Sequence, residues 1–109
     1  MKTNKIDGVL VVEMVPRFDA YSAKEVEAFL QEEVSSGTDK LVCDFSPTEY
    51  ISSAGLRVLL AVAKALKKAG GTIALCSLGS PVREVFETAG FTPLFPIYGD
   101  EKEAVAAIK

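Results

Sequence analysis

Apolar positions along this chain follow two patterns, continuous runs and stretches with helical spacing. Largely apolar runs occupy residues 9–15, 40–45 and 72–78, and such runs are typical of strands covered on both faces of a parallel sheet. Between and after these runs, apolar residues recur at the spacing of a helix with one buried face. The pattern therefore predicts strands and helices in alternation.

The first predicted unit is a β-hairpin. The pair Asp7-Gly8 separates the extended segments Lys2–Ile6 and Val9–Val15. An Asp-Gly pair favours a two-residue type I′ turn, because both central positions of that turn have positive φ. Pro16 has no backbone N–H and is expected to end the second strand.

A capping pattern predicts the start of the first helix. Ser22 and Glu25 have the spacing of a capping box, and Tyr21 and Val26 have the spacing of the accompanying hydrophobic staple. Gly37 suits the C-terminal cap. We therefore expect this helix to begin at Ser22 and to end just before Gly37.

Similar signals predict the remaining elements. In chain order these are a helix from about Ser53 to Ala69, a short helix from Ser80-Pro81 to Gly90, an edge strand Pro93–Tyr98 and a helix from Asp100 to Ile108. The resulting order, β-β-α-β-α-β-α-β-α, predicts one α/β domain over residues 1–109. Its sheet is expected to be mainly parallel, with four to five strands, an N-terminal hairpin and about four helices.

Composition excludes several classes of function. The chain has 109 residues, 49% of them apolar, and a formal net charge of -3, so it lacks the basic surface of a nucleic-acid-binding protein. No apolar run approaches the roughly 18 residues of a membrane span. Residues 1–8 also lack the apolar core of a signal peptide. We expect a cytoplasmic protein with no nucleic-acid partner and no membrane span.

The chain carries little reactive chemistry. It has no histidine, which removes the usual base of serine and cysteine catalysis and a common zinc ligand. Its two cysteines, Cys43 and Cys76, lie in apolar segments far apart and form no CxxC, so we expect both to be reduced core residues. No catalytic residue, metal or cofactor is expected. A small enzyme or nucleotide-binding domain is a weak alternative, because the chain has no Gly-rich phosphate loop.

Two adjacent serines precede the predicted central helix. If Ser52 is the N-cap, then Ile51 and Leu56 occupy the two positions of a hydrophobic staple; if Ser53 is the N-cap, the first of these positions is a polar serine. The first register is favoured. Ser53 then becomes the first helical residue, and its hydroxyl is free.

The free hydroxyl of Ser53 is a candidate site of phosphorylation. Without a base, serine is a poor nucleophile, but a kinase could add about -1.5 to -2 charges at a helix end that favours anions. Ala54 and Gly55 are small and would let a partner approach closely. Arg57 either neutralises a phosphate or is a solvated surface residue. Asp19 either lies beside Ser53 at the carboxyl edge of the sheet or only caps the first helix.

Several segments in order resemble STAS domains of the anti-sigma factor antagonist type. They are Arg17-Phe18-Asp19, Asp44-Phe45-Ser46, Tyr50-Ile51-Ser52-Ser53-Ala54-Gly55-Leu56, Gly71-Thr72-Ile73 and Phe86-Glu87-Thr88-Ala89-Gly90-Phe91. The resemblance covers nearly the whole chain. It implies a protein that, when unphosphorylated, binds an anti-sigma factor serine kinase and frees a sigma factor. The kinase then phosphorylates the antagonist and ends the association, and a serine phosphatase resets it.

By position, the resemblance implies that Ser53 is the phosphoacceptor, with Ser52 as the alternative. It implies a partner-binding surface made of Asp19, Ser52, Ala54, Gly55, Leu56 and Arg57. The chain departs from the family at three positions, Pro16, Ser52 and Ala54, where the family often has glycine, aspartate, and serine or threonine. The alternative function is a STAS scaffold, or a subunit of a transporter or stress-sensing complex, that phosphorylation does not switch.

Overall fold

The computed structural model describes residues 1–109 and contains seven strands and four α-helices. The strands are β1 (Thr3–Ile6), β2 (Val9–Glu13), β3 (Arg17–Phe18), β4 (Lys40–Asp44), β5 (Tyr50–Ile51), β6 (Thr72–Cys76) and β7 (Ile97–Tyr98). The helices are α1 (Ala20–Ser35), α2 (Ser53–Lys68), α3 (Ser80–Thr88) and α4 (Glu101–Ile108), with a 3-10 turn at Thr92–Leu94. None of the helices has the length and apolar character needed to cross a membrane.

Five strands form one sheet in the order β1-β2-β4-β6-β7. Only the β1–β2 hairpin is antiparallel; the other neighbours in this sheet are parallel. Asp7 and Gly8 have φ values of 51° and 80°, as a type I′ turn requires. The predicted α/β fold with a mainly parallel sheet and an N-terminal hairpin is confirmed.

The continuous apolar runs are explained by helices on both sides of the sheet. On one face the strands pack with α1, α2 and α3 in the larger core cluster, and on the other they pack with α4. Along β4, Leu41 and Cys43 belong to the first cluster and Val42 to the second. Side chains on both faces must therefore be apolar.

The N-cap of the first helix lies three residues earlier than the capping pattern predicts, so that prediction is wrong. Asp19 is the N-cap, and its Oδ1 accepts hydrogen bonds from the backbone N–H groups of Tyr21 (3.0 Å) and Ser22 (3.3 Å). Ser22 Oγ in turn accepts from the Asp19 N–H at 3.1 Å, which completes a capping box. Tyr21 is 96% exposed and forms no staple.

Other boundaries also differ from the predictions. The second strand ends at Glu13 and not at Val15. Gly79, and not Ser80, is the N-cap of α3, and it makes no side-chain capping bond. The strand predicted at Pro93–Tyr98 is reduced to β7, because a 3-10 turn occupies Thr92–Leu94. The caps predicted for α2 and α4, Ser52 and Asp100, are both confirmed.

A second, two-stranded parallel sheet was not predicted from the sequence. In it β3 pairs with β5, with Arg17 opposite Tyr50 and Phe18 opposite Ile51. Each strand has two residues, too few to show an alternating pattern. This ladder connects the start of α1 with the start of α2.

Both cysteines are buried and free, as predicted. Burial raises the pKa of the Cys43 thiol from 9.0 to about 12, and burial is also the main reason that the pKa of Cys76 rises to about 12. Folded thiols therefore keep their protons at pH values where unfolded thiols ionise. Burial of the protonated thiols therefore makes its full contribution to the free energy of unfolding below pH 9. This contribution is lost as the pH rises from 9 towards 12, because the unfolded thiols ionise first.

We expect both thiols to resist a disulfide reagent at pH 8 in the native protein and to react at once after denaturation in urea. The urea midpoint should fall as the pH rises above 9. A variant with Cys43→Ala and Cys76→Ala is the control, and its midpoint should fall less over the same interval. Rapid titration of either thiol in the native protein would contradict the buried placement.

Candidate functional site

A backbone hydrogen bond of Ser52 joins the start of α2 to β3. The Ser52 N–H donates to the carbonyl oxygen of Phe18 at 2.9 Å. As the N-cap, Ser52 has extended backbone (φ -100°, ψ 174°), and its Oγ accepts from the Gly55 N–H at 3.4 Å. The interpretation of Ser52 as the helix cap is confirmed.

Ser53 is the first residue of α2 and is exposed. Its hydroxyl takes part in none of the side-chain hydrogen bonds that the structure contains, whereas the Ser52 hydroxyl contacts both Gly55 and Phe18. The first N–H groups of a helix lack intrahelical partners and carry the positive end of the helix dipole. Ser53 therefore presents a free hydroxyl at a position that favours an anion.

Gly55 is required by a close contact within the chain. A Cβ added there would lie 2.7 Å from the Phe18 carbonyl oxygen and 2.9 Å from Ile51 Cγ1. Gly55 is buried, and Leu56 is only 4% exposed. We expected Gly55 to leave space for a partner, but Phe18 of the same chain fills that space.

The Asp19 carboxylate makes its contacts with neighbouring residues of α1 and β3. Besides capping α1, its Oδ2 lies 3.5 Å from Arg17 Nε. Its carboxylate makes no hydrogen bond with Ser53, but its neighbour Phe18 contacts Ser52 directly. The structure thus brings the loop of Asp19 beside the paired serines, as expected from the parallel sheet, and assigns the carboxylate to capping.

Arg17 and Tyr50 form a contact that sequence reasoning missed. The Arg17 guanidinium lies 4.7 Å from the centre of the Tyr50 ring, a cation–π arrangement. The two residues are opposite each other in the β3–β5 ladder. Only the pairing of two distant short strands brings them together, so no local signal could have indicated the contact.

Among the remaining predicted residues, Arg57 and Ala54 are accessible. Arg57 is exposed, makes no ion pair and lies four residues after Ser53 on α2. Residues four apart on a helix are neighbours on its surface. Ala54 is half-buried. Arg57 is therefore an exposed cationic residue on the same surface of α2 as Ser53.

A groove of about 510 Å³ begins at Ser53 and runs along α3. We call it the α2–α3 groove, and its lining residues are Ser53, Leu56, Pro81, Glu84, Val85, Thr88 and Ala89. Sequence reasoning did not assign α3 to the site. The signal that could have indicated it is the spacing of the α3 members, which share one helical face.

The reactive and charged groups of the site are the Ser53 hydroxyl, the positive charge of Arg57 and the negative charge of Glu84. Histidine, cysteine, aspartate and glutamate side chains do not gather anywhere in groups of three that could hold a metal ion. No buried side-chain nitrogen or oxygen lacks a hydrogen-bond partner. The arrangement therefore offers an exposed hydroxyl at the N-terminus of a helix and no metal-binding cluster.

Comparison with known proteins finds a matching family and a similar curated protein. The family model described as "STAS domain" matches residues 1–104. The curated relative named "Putative anti-sigma factor antagonist BtrV", from Bordetella bronchiseptica, is 42% identical over 97% of this chain and 91% of its own length.

Solved structures of similar proteins share the fold. An anti-sigma factor antagonist from Mycobacterium paratuberculosis superposes with a TM-score of 0.89 at 28% identity, covering 98% of this chain and 91% of the other. The Bacillus cell fate determinant SpoIIAA, in its phosphorylated form, superposes with a TM-score of 0.77 at 17% identity, covering 99% and 98%.

Proposed function

This chain belongs to the STAS domain family of anti-sigma factor antagonists, and from that membership we propose that phosphorylation of Ser53 switches its binding to an anti-sigma factor. In the unphosphorylated state it binds an anti-sigma factor that is also a serine kinase. The bound kinase releases its sigma factor, so transcription from that sigma factor's promoters rises. A serine phosphatase regenerates the binding form.

The proposal is supported chiefly by the different hydrogen bonding of the two adjacent serines, Ser52 and Ser53. The Ser52 hydroxyl is engaged with Gly55 and Phe18, whereas the Ser53 hydroxyl is exposed and has no partner. A kinase can reach Ser53 without breaking the cap of α2. Ser52 would have to leave its capping position to be phosphorylated.

A phosphate on Ser53 is compatible with the fold. It would add about -1.5 to -2 charges beside the free N–H groups of the first turn, where an anion is favoured. Arg57, one turn later and without an ion pair, can neutralise part of this charge. Phosphorylation therefore changes the charge and shape of the surface and leaves the folded chain in place.

We expect phosphorylation of Ser53 to be detectable as a mass increase. The protein is incubated with ATP and, one by one, with the purified anti-sigma factor kinases encoded in its source genome. One of them should add about 80 Da to the wild type and nothing to Ser53→Ala. Ser52→Ala is the matched control; it keeps the acceptor and loses only the cap, so it should still be modified.

Three results would count against the proposal. The first is the absence of modification by every kinase in the panel, and the second is modification of Ser52 alone. The third is a partner that binds wild type, Ser53→Ala and Ser53→Asp equally. That result would instead favour a scaffold or complex subunit that phosphorylation does not switch.

A further inference from the structure

Helix α4 is the only helix that covers the second face of the main sheet. The first face packs with α1, α2 and α3 in a cluster of 21 buried residues, whereas the cluster under α4 has 7. The strand residues of this smaller cluster are Val9, Val11, Val42, Ala74 and Cys76. Much less apolar surface therefore holds α4 in place than holds the other three helices together.

The side chains that anchor α4 are few and small. Only Ala104 and Val105 are buried, and Ile108 is half-buried. By comparison, α2 buries six residues, four of them leucine or valine beyond its first turn. A helix of 8 residues is also too short to be stable by itself in water. Packing against the sheet is therefore the main interaction that keeps α4 folded, and that packing is small.

Two clefts lie along the side of α4 that faces the β1–β2 hairpin. One has a volume of about 330 Å³, and its lining includes Asp7 of the hairpin turn and Val105 of α4. The other has a volume of about 180 Å³, and its lining includes Asn4 of β1 and Glu101 at the start of α4. Because β1 does not close against the helix, water reaches the edge of the interface between α4 and the sheet.

The polar contacts at the end of α4 are exposed. Lys109 Nζ lies 3.7 Å from Asp7 Oδ2, and these side chains are 53% and 61% exposed. The Lys40 ammonium donates to the carbonyl oxygen of Lys109 at 2.9 Å, also at the surface. Exposed contacts of this kind contribute little to stability, and salt screens them.

We propose that α4 is a detachable strap, which leaves the sheet as a unit while α1, α2, α3 and the rest of the sheet stay folded. Proteins open in this way through segments that bury little apolar surface. The larger cluster does not depend on α4, and it keeps its edge-to-face contacts between Phe86 and both Phe45 and Phe95. Opening uncovers the second face of the sheet and leaves Ser53, on α2, in place.

The two cysteines report on this opening from opposite faces of the sheet. Cys43 belongs to the larger cluster and Cys76 to the smaller one. The pKa of the Cys76 thiol is raised chiefly by burial, and the charge of Glu101, the first residue of α4, adds to the effect. Detachment of α4 therefore exposes Cys76 and leaves Cys43 covered.

The test is slow labelling of the wild-type protein by a disulfide reagent at pH 8, with mass spectrometry to locate the modified thiol. Over hours, Cys76 should react at least about 100-fold faster than Cys43 in initial rate. Urea below the unfolding transition should hardly change the rate at Cys76, because opening exposes little surface, but should raise the rate at Cys43 steeply. Equal rates with equal urea dependence would overturn the inference.

Two core variants distinguish detachment of α4 from global unfolding. Val26→Ala, on α1 in the larger cluster, weakens the closed and the open forms equally. It should therefore speed labelling of Cys43 about tenfold or more and leave Cys76 within about twofold of wild type. Val105→Ala, on α4, weakens only the closed form and should speed labelling of Cys76 about tenfold.

The contrary outcomes are equally defined. If Val26→Ala speeds labelling of both thiols by the same factor, Cys76 reacts only through global unfolding and α4 is not a separate unit. If Val105→Ala leaves the rate at Cys76 unchanged, α4 is not what covers this thiol. Should Val26→Ala fail to fold, Val82→Ala, on α3 in the same cluster, takes its place with the same expected result. None of these outcomes depends on phosphorylation of Ser53, so they leave the proposed function untouched.

Discussion

Replacing Gly55 with alanine is expected to lower the free energy of unfolding by about 1 to 3 kcal/mol. The added Cβ would lie 2.7 Å from the Phe18 carbonyl oxygen, which belongs to backbone and cannot turn away. Alanine is the better helix former by about 1 kcal/mol, so helix propensity alone predicts the opposite sign. The first turn of α2 must move away from β3, and it carries Ser53 with it.

Urea denaturation of wild type and Gly55→Ala measures this effect. Gly99→Ala is a suitable control, because a Cβ there would meet only the Glu103 carboxylate, at 3.6 Å, and the backbone is not left-handed. Its stability should stay within about 0.5 kcal/mol of wild type. If Gly55→Ala were as stable as wild type, the close approach of β3 to α2 would not be a constraint on this position.

Replacing Ser53 with aspartate is expected to weaken anti-sigma factor binding about 30-fold or more, which corresponds to about 2 kcal/mol. The carboxylate introduces a charge at the centre of the proposed docking surface, and the partner would have to desolvate it. Ser53→Ala lacks only a hydroxyl and should bind as wild type does. Isothermal titration calorimetry with the purified anti-sigma factor measures all three affinities.

The variant Ser52→Asp tests whether the position of the added negative charge, and not only its presence, decides how strongly the anti-sigma factor binds. Aspartate is as good an N-cap as serine, and its side chain should keep the orientation of Ser52 towards the Gly55 N–H. We therefore expect Ser52→Asp to retain most of the wild-type affinity. Equal loss in Ser52→Asp and Ser53→Asp would contradict the distinct roles assigned to the two serines.

The first helix illustrates how local sequence can support two structures. Asp19 with Ser22 and Ser22 with Glu25 both have the spacing of a capping box. The choice is made by tertiary contacts, because Ser22 Oγ also donates to the carbonyl oxygen of Arg17 at 2.7 Å. Arg17 is held in the β3–β5 ladder, so the earlier start is the one compatible with that ladder.

The sequence by itself determined the α/β fold, the hairpin and the cap of α2 at Ser52. These depend on periodicity, turn chemistry and capping, which act over a few neighbouring residues. Only the tertiary structure decided why Gly55 must be glycine, what Asp19 contacts and where the α2–α3 groove lies. These features depend on the pairing of two-residue strands and on the packing of α3. Contacts between residues far apart in the chain leave no local pattern, so they become visible only when the chain is folded.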